Sequence, residues 1–257
     1  MAPESGIRME KVCFDFGGRK ILEDFNLFLE RGVNRTILGV SGAGKTTILK
    51  LLLGLLTPDS GTISIDGTPL AGLRENELVR VRKHIAIVFQ GGALFDSMTV
   101  GENVGYRLFE EGKLTEPEIE RIAREKLSFV GLEQAIDLYP AELSGGMKKR
   151  VAIARALASD PDYIFFDEPT TGLDPIGVYN IRHLMNRLQQ EGKTTLMVTH
   201  DMETAFAVSQ RFSFLHEARL AFEGTREEML TCSVPAITEF FAPTEQSLFR
   251  YNHLPEH

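Results

Sequence analysis

The run Gly39-Val40-Ser41-Gly42-Ala43-Gly44-Lys45-Thr46 fits the spacing G-x-x-x-x-G-K-[ST] and overlaps the end of a short apolar stretch, Thr36–Val40. Such a loop works only between a buried strand and the start of a helix. Its glycines let successive backbone N–H groups turn inward on a phosphate, and a helix beginning near Lys45 adds the positive end of its dipole. Lys45 is then expected to reach the β- and γ-phosphates of a nucleotide, with the Thr46 hydroxyl on Mg²⁺ and Thr47 closing the cradle. Ile48, Leu49, Leu51, Leu52 and Leu53 make the following helix apolar nearly all round. It is therefore expected to be sandwiched against a sheet, which holds the loop still.

A second apolar stretch, Tyr163-Ile164-Phe165-Phe166, ends in Asp167-Glu168. This reads as a buried strand that delivers two carboxylates to the carboxyl edge of a parallel sheet. There Asp167 can hold Mg²⁺ through water, and Glu168 can polarise an attacking water. Ile85–Phe89 and Thr195–Val198 share the pattern and also end at polar residues. Upstream, Ile7–Phe16 and Ile21–Leu29 alternate about the turn Gly17-Gly18, and with Thr62–Ile65 they suggest an antiparallel sheet beside the parallel core. From about 94 to 160 the chain reads as helical. Thr115 and Glu118 make a capping box there, followed by Ile119, Ile122, Ala123, Leu127 and Val130 on one face. The expected fold class is α/β: a mixed, mostly parallel core sheet, an antiparallel β-subdomain and an inserted helical subdomain. One domain is expected over residues 1–242, with 243–257 as a C-terminal tail.

Charge narrows the function. The 257 residues carry 36 acidic against 28 basic side chains, a formal charge of −8. That balance argues against a protein built to grip nucleic acid, which needs a basic face. No segment approaches the roughly 18 uninterrupted apolar residues of a membrane span, and Met1–Lys11 lacks the apolar stretch of a secretory signal. The expectation is a cytoplasmic protein able to bind a membrane partner. Cys13 and Cys232 stand far apart without metal-ligand spacing, as befits two reduced structural thiols. No Asn-Lys-x-Asp motif for guanine occurs.

Leu143-Ser144-Gly145-Gly146-Met147 lies between the two nucleotide motifs and opens a helical pattern. Ser144 suits an N-cap, the glycines allow close approach of a phosphate, and Met147, Val151, Ala154 and Ala158 share a face. Lys148, Lys149 and Arg150 either add positive charge to the first turns or form a solvated face. With this run in place, the chain resembles the ATP-binding cassette (ABC) ATPases over nearly its whole length. The resemblance implies that Ser144, Gly145 and Gly146 form the signature that contacts the γ-phosphate of ATP held by the opposite subunit. Two copies would then sandwich two ATP molecules head to tail. It also implies that Gln90 senses Mg²⁺ and the membrane partner, that Asp174 runs between subunits, and that His200 contacts the γ-phosphate. Phe16 falls where the family stacks an aromatic ring on adenine, although Phe14 points the same way in a strand. The implied catalytic set is Glu168, His200, Gln90 and Lys45, and the implied Mg²⁺ set is Thr46, Gln90 and Asp167.

Val88 to Val100, followed by Glu102-Asn103-Val104, resembles the same region in ATPases of Mla-type, Mce-associated phospholipid transport systems, which commonly carry Met at the fifth signature position. The implied partners are an integral membrane permease and an Mce-type lipid-binding protein, with phospholipid as cargo. The chain would sit on the cytoplasmic face of the inner membrane through the permease. Another transporter class, or a regulatory cassette of the cell-division type, stands as the alternative. Phe240, Phe241, Leu248, Phe249 and Tyr251 make the C-terminal stretch too aromatic for a free tail. It packs either on its own subunit or on a second one.

Overall fold

A computed structural model of the chain describes residues 5–241. The first half runs β1 (Gly6–Phe16), β2 (Arg19–Glu30), β3 (Asn34–Leu38), α1 (Lys45–Leu52), β4 (Ser60–Ile65), β5 (Thr68–Pro69), α2 (Glu75–Arg82), β6 (Ile85–Val88), α3 (Val100–Glu111) and α4 (Glu116–Phe129). The second runs α5 (Gly145–Ala158), β7 (Tyr163–Asp167), α6 (Pro175–Gln190), β8 (Thr194–Thr199), α7 (Met202–Val208), β9 (Arg211–His216), β10 (Arg219–Gly224), α8 (Arg226–Thr231) and α9 (Pro235–Phe241). Two sheets result. An antiparallel one has the order β2-β1-β4-β5, and a larger one the order β10-β9-β3-β8-β7-β6, parallel except for β10.

Side-chain alternation along β7 explains why both of its faces are covered. Ile164 and Phe166 enter a core shared with Val88, Met197, Phe212 and helices α3 to α7, while Tyr163 and Phe165 enter a second core with Ile37, Leu196, Val198 and α1. The second core also takes Leu22, Phe25 and Ile63 from the antiparallel sheet, so α1 is enclosed between the two sheets. α3, α4 and α5 lie in the stretch between β6 and β7. Glu118 accepts from the backbone N–H of Thr115 at 2.7 Å at the start of α4.

Several elements differ from the sequence expectation, each for a local reason. β3 begins at Asn34 rather than Thr36, because Asn34 and Arg35 are buried despite their polarity. Asn34 Nδ2 donates to the Val208 carbonyl at 3.3 Å, and Arg35 donates to Ser213 Oγ at 3.0 Å and pairs with Glu223. The β9–β10 hairpin carries no Asn-Gly signal. Its turn residues Glu217 and Ala218 nevertheless take φ of 46° and 65°, a conformation that glycine or asparagine normally supplies. Phe240 and Phe241, by contrast, follow one of the two expected arrangements and pack on their own subunit. Phe240 lies 5.1 Å from Phe214 and Phe241 lies 6.2 Å from Phe206, ring centre to ring centre. Leu248, Phe249, Tyr251 and the rest of the 243–257 tail lie outside the described residues.

At the amino edge of the parallel strands, Asp66 fastens the two sheets. It accepts from Tyr163 Oη at 2.7 Å, from Arg31 Nη2 at 2.6 Å and from the Gly6 backbone at 2.9 Å. Burial alone would raise the Asp66 carboxyl, but the Arg31, Tyr163 and Gly6 bonds outweigh it and hold the group below its ordinary value. A depressed folded pKa contributes stability above the unfolded value of about 3.9 and loses it as pH falls through the folded value. Tyr163→Phe should therefore cost about 1–2 kcal/mol at neutral pH. Acid unfolding should show the variant and wild-type stabilities drawing together below about pH 4. A difference that stays constant with pH would exclude Asp66 as the cause.

Candidate active site

Because β3, β8, β7 and β6 are parallel neighbours, their carboxyl ends share one rim. Leu38 pairs with Thr199, Asp167 with Val198, and Phe166 with Val88. This register brings the Gly39–Thr46 loop, Asp167-Glu168 and Thr199-His200 together, with Gln90 exposed two residues past Val88. Open α/β sheets bind their ligands at such a rim.

Two glycines let the loop lie against its supports. A Cβ on Gly39 would come within 2.6 Å of the Leu215 carbonyl on β9, and one on Gly44 within 2.7 Å of Ile21 Cγ2 on β2. Gly44 also has φ of 105°, which L side chains rarely adopt. Lys45 is only 5% exposed and turns back into the loop. Its Nζ donates to the Gly39 and Val40 carbonyls at 2.7 and 3.1 Å and stands 3.7 Å from Glu168 Oε1. Burial lowers the Lys45 pKa, with the charges of Glu168 and Asp167 opposing that shift.

Thr46 Oγ1 donates to Asp167 Oδ1 at 3.1 Å. Burial raises the Asp167 carboxyl above its ordinary value, although the Thr46 bond pulls the other way. A hydroxyl beside a buried carboxylate fits a hard divalent cation that draws its remaining ligands from water and phosphate. Glu168 is held more tightly still. Its φ of 48° is uncommon for a residue with a side chain. Oε1 meets His200 Nδ1 at 2.9 Å, while Oε2 accepts from Thr199 Oγ1 at 2.9 Å and Thr171 Oγ1 at 3.2 Å. Neither Thr199 nor Thr171 is singled out by the sequence. The register of β8 on β7 brings in the first, and the turn after Glu168 brings in the second.

The remaining sequence candidates fall into two places. Phe16 is 70% exposed at the turn end of the hairpin whose Ile21 touches the loop, whereas Phe14, two residues farther from the turn, is buried in the second core. Ser144 caps α5 by accepting from the Met147 N–H at 3.2 Å, and Asp174 caps α6 by accepting from the Gly177 N–H at 2.6 Å. A Cβ on Gly146 would lie 3.9 Å from Gly177 Cα, so these two helix starts adjoin. Among the described residues, no hydrogen bond or ion pair joins Ser144, Gly145, Gly146 or Asp174 to the Lys45, Glu168 and His200 group. Lys149 answers to neither sequence expectation. It is buried, and it donates to backbone carbonyls instead of facing solvent or a phosphate.

Residues 22–171 match the ABC transporter family. The chain belongs to that family. This cassette is 38% identical over 248 residues to the intermembrane phospholipid transport system ATP-binding protein MlaF of Haemophilus influenzae, covering 96% of this chain and 94% of that one. It is 41% identical to the probable ribonucleotide transport ATP-binding protein mkl of Mycobacterium tuberculosis, over 91% of this chain and 66% of that one. Among solved structures, the dimeric cassette MJ0796, in a post-hydrolysis state bound to ADP and Pi, superposes with a TM-score of 0.78 at 33% identity, covering 85% of this chain and 98% of that one. The chain is an ATP-binding ATPase, and the strand rim carries its nucleotide motifs.

A second surface of the cassette is its helical side. A cleft of about 600 Å³ opens there, lined by Met98, Tyr106, Phe109 and Ile119 among others. Asn103, fully buried, holds the segment that supplies Met98 and Thr99 to the lining. Its side chain accepts from the Phe95 N–H at 2.8 Å and donates to the carbonyls of Phe95, Met98 and Thr99 at 3.0, 3.1 and 2.9 Å. Both N–H groups of the amide and one acceptor site of its oxygen are spent on the loop before α3, which gives Asn103 a physical purpose.

The geometry around Glu168 makes Thr199 testable. Thr199→Val keeps the shape but removes both the donor to Glu168 and the acceptor of the Asp201 N–H at 3.0 Å, so phosphate release should slow roughly tenfold and Tm should fall by a few degrees. An unchanged rate would show that the hydroxyl does not help to orient Glu168.

Proposed function

We propose that this cassette hydrolyses ATP as half of a head-to-tail pair seated on an integral membrane permease, and so powers the movement of phospholipid between membranes. One observation carries the paired reading. Lys45, Thr46, Asp167, Glu168 and His200 share a rim, whereas Ser144-Gly145-Gly146 and Asp174, at the starts of α5 and α6, make no hydrogen bond or ion pair with that group among the described residues. A second copy supplies the missing half, and the dimeric MJ0796 cassette supports that arrangement.

On this reading, the Gly39–Thr47 backbone cradles the phosphates of ATP, and Lys45 exchanges its carbonyl partners for β- and γ-oxygens. Phe16 stacks on the adenine. Thr46, Asp167 and Gln90 would hold Mg²⁺, which neutralises charge on those oxygens when bound. Glu168 takes the proton of a water attacking the γ-phosphorus in line as the bond from that phosphorus to the β–γ bridging oxygen breaks and ADP leaves, and His200 and Gln90 order the γ-phosphate and that water. The opposing Ser144-Gly145-Gly146 presents helix N-terminal N–H groups to the same γ-phosphate.

The phospholipid cargo rests on the MlaF relative, which the chain matches over nearly the whole length of both. The mkl relative, named for ribonucleotide transport, supports a second reading over a smaller share of its own length. No helix among the described residues is long and apolar enough to cross a membrane. Attachment on the cytoplasmic face of the inner membrane would run through the permease, docked in the cleft beside Tyr106 and Phe109. An Mce-type protein would carry the lipid onward.

Glu168→Gln should still bind ATP and dimerise while losing roughly 10²- to 10⁴-fold in turnover; near-normal hydrolysis would remove Glu168 from the role of base. Purification of the native complex, with mass spectrometry of its subunits and extracted lipids, should find a permease and bound phospholipid. A complex that carries nucleotide cargo and no lipid would favour the second reading.

A further inference from the structure

Burial separates Lys149 from the cations on either side of it. Only 6% of the residue is exposed. Its Nζ donates to the Thr171 carbonyl at 2.7 Å, to Pro169 at 2.8 Å and, more loosely, to Glu168 at 3.4 Å. A buried ammonium is costly unless its donors are satisfied, and an ammonium has three. Here three backbone carbonyls take them. The side chain therefore ties α5 to the main chain that leaves β7, with no carboxylate partner in between.

That main chain carries the group on which hydrolysis depends. Glu168 holds its uncommon φ of 48° within this segment, a conformation that persists only where the surroundings impose it. Thr171 Oγ1, from the same segment, donates to Glu168 Oε2 at 3.2 Å. By gripping the carbonyls of Glu168 and Thr171, Lys149 sets both the backbone from which the carboxylate hangs and one of its donors. At its other end Lys149 sits about one helical turn from Gly145 and Gly146. Farther along α5, Arg155 donates to the carbonyls of Ala93 and Gly92 at 2.7 and 3.0 Å, so the segment after Gln90 is tied to the same helix.

We propose that Lys149 is a positioning residue for Glu168, coupling the closure of the signature on the opposite subunit's ATP to the geometry of the chain's own general base. The inference rests on the paired-cassette reading above. In such a pair the two ends of this link serve different nucleotides, so Lys149 joins one ATP site to the other within a single chain.

Lys149→Gln keeps two donors without the charge, Lys149→Met removes every donor, and Lys149→Arg restores charged donors. In the native complex, Lys149→Gln should lower kcat about tenfold, the worth of one charge-assisted hydrogen bond. The KM for ATP should stay within about twofold, and the Hill coefficient for ATP should fall from above 1 to about 1. Lys149→Arg should recover kcat to within about threefold. Placed on Glu168→Gln, Lys149→Gln should leave the residual single-turnover rate unchanged, because the group it positions is already disabled. Wild-type kcat in both Lys149→Gln and Lys149→Met would overturn the proposal. So would an unchanged Hill coefficient, a loss that follows weakened ATP binding, or an equal further loss on Glu168→Gln. Failure of Glu168→Gln alone to dimerise with ATP would overturn the paired reading first and this inference with it.

Discussion

Tyr163, Ile164, Phe165 and Phe166 are all fully buried, two on each face of one strand. Burial on both faces demands a layer on each side, and the helices and the antiparallel sheet with α1 provide them. Apolar packing of that kind admits no charge along the strand, so Asp167 and Glu168 can stand only where it ends. The same argument applies to β8, whereas β3 admits the buried Arg35 because Ser213 and Glu223 pair with it. Phosphate loop, carboxylates and His200 meet at one rim because the parallel register of β3, β8 and β7 brings the carboxyl ends of these strands together.

The rim is supported both from its own sheet and from the antiparallel one. Gly39 lies against the carbonyl of Leu215, and Gly44 lies against Ile21. The antiparallel sheet is thus part of the phosphate loop's support as well as a cover for α1. Asp66 secures that sheet from the far end by joining Arg31, Gly6 and Tyr163. β7 therefore carries a fastening at its first residue and the carboxylate of Asp167 at its last, with Glu168 directly after it.

Much of the fold was legible because apolar periodicity and apolar runs report burial directly. The four core strands and the antiparallel segments up to Ile65 stand out in this way. What escaped was held by polar or unusual backbone contacts. Asn34 and Arg35 look like loop residues until Val208, Ser213 and Glu223 are seen to pair with them. The turn at Glu217 and Ala218 lacks the residues that normally announce a hairpin. At the site, the phosphate loop, Asp167, Glu168 and His200 are readable as motifs, because each sits at a fixed place relative to a strand end. Thr199, Thr171 and Lys149 are not, because each reaches Glu168 or its backbone only through folding.

The sequence by itself determined the family, the nucleotide chemistry and the strand ends on which it stands, since spacing and apolar runs encode all three locally. Tertiary structure decided which side chains hold Glu168, that Phe16 and not Phe14 is the exposed ring, and that Lys149 is buried rather than solvated. These depend on register between strands and on contacts between residues far apart in the chain. No local pattern records such contacts, because packing against the rest of the fold is what selects them.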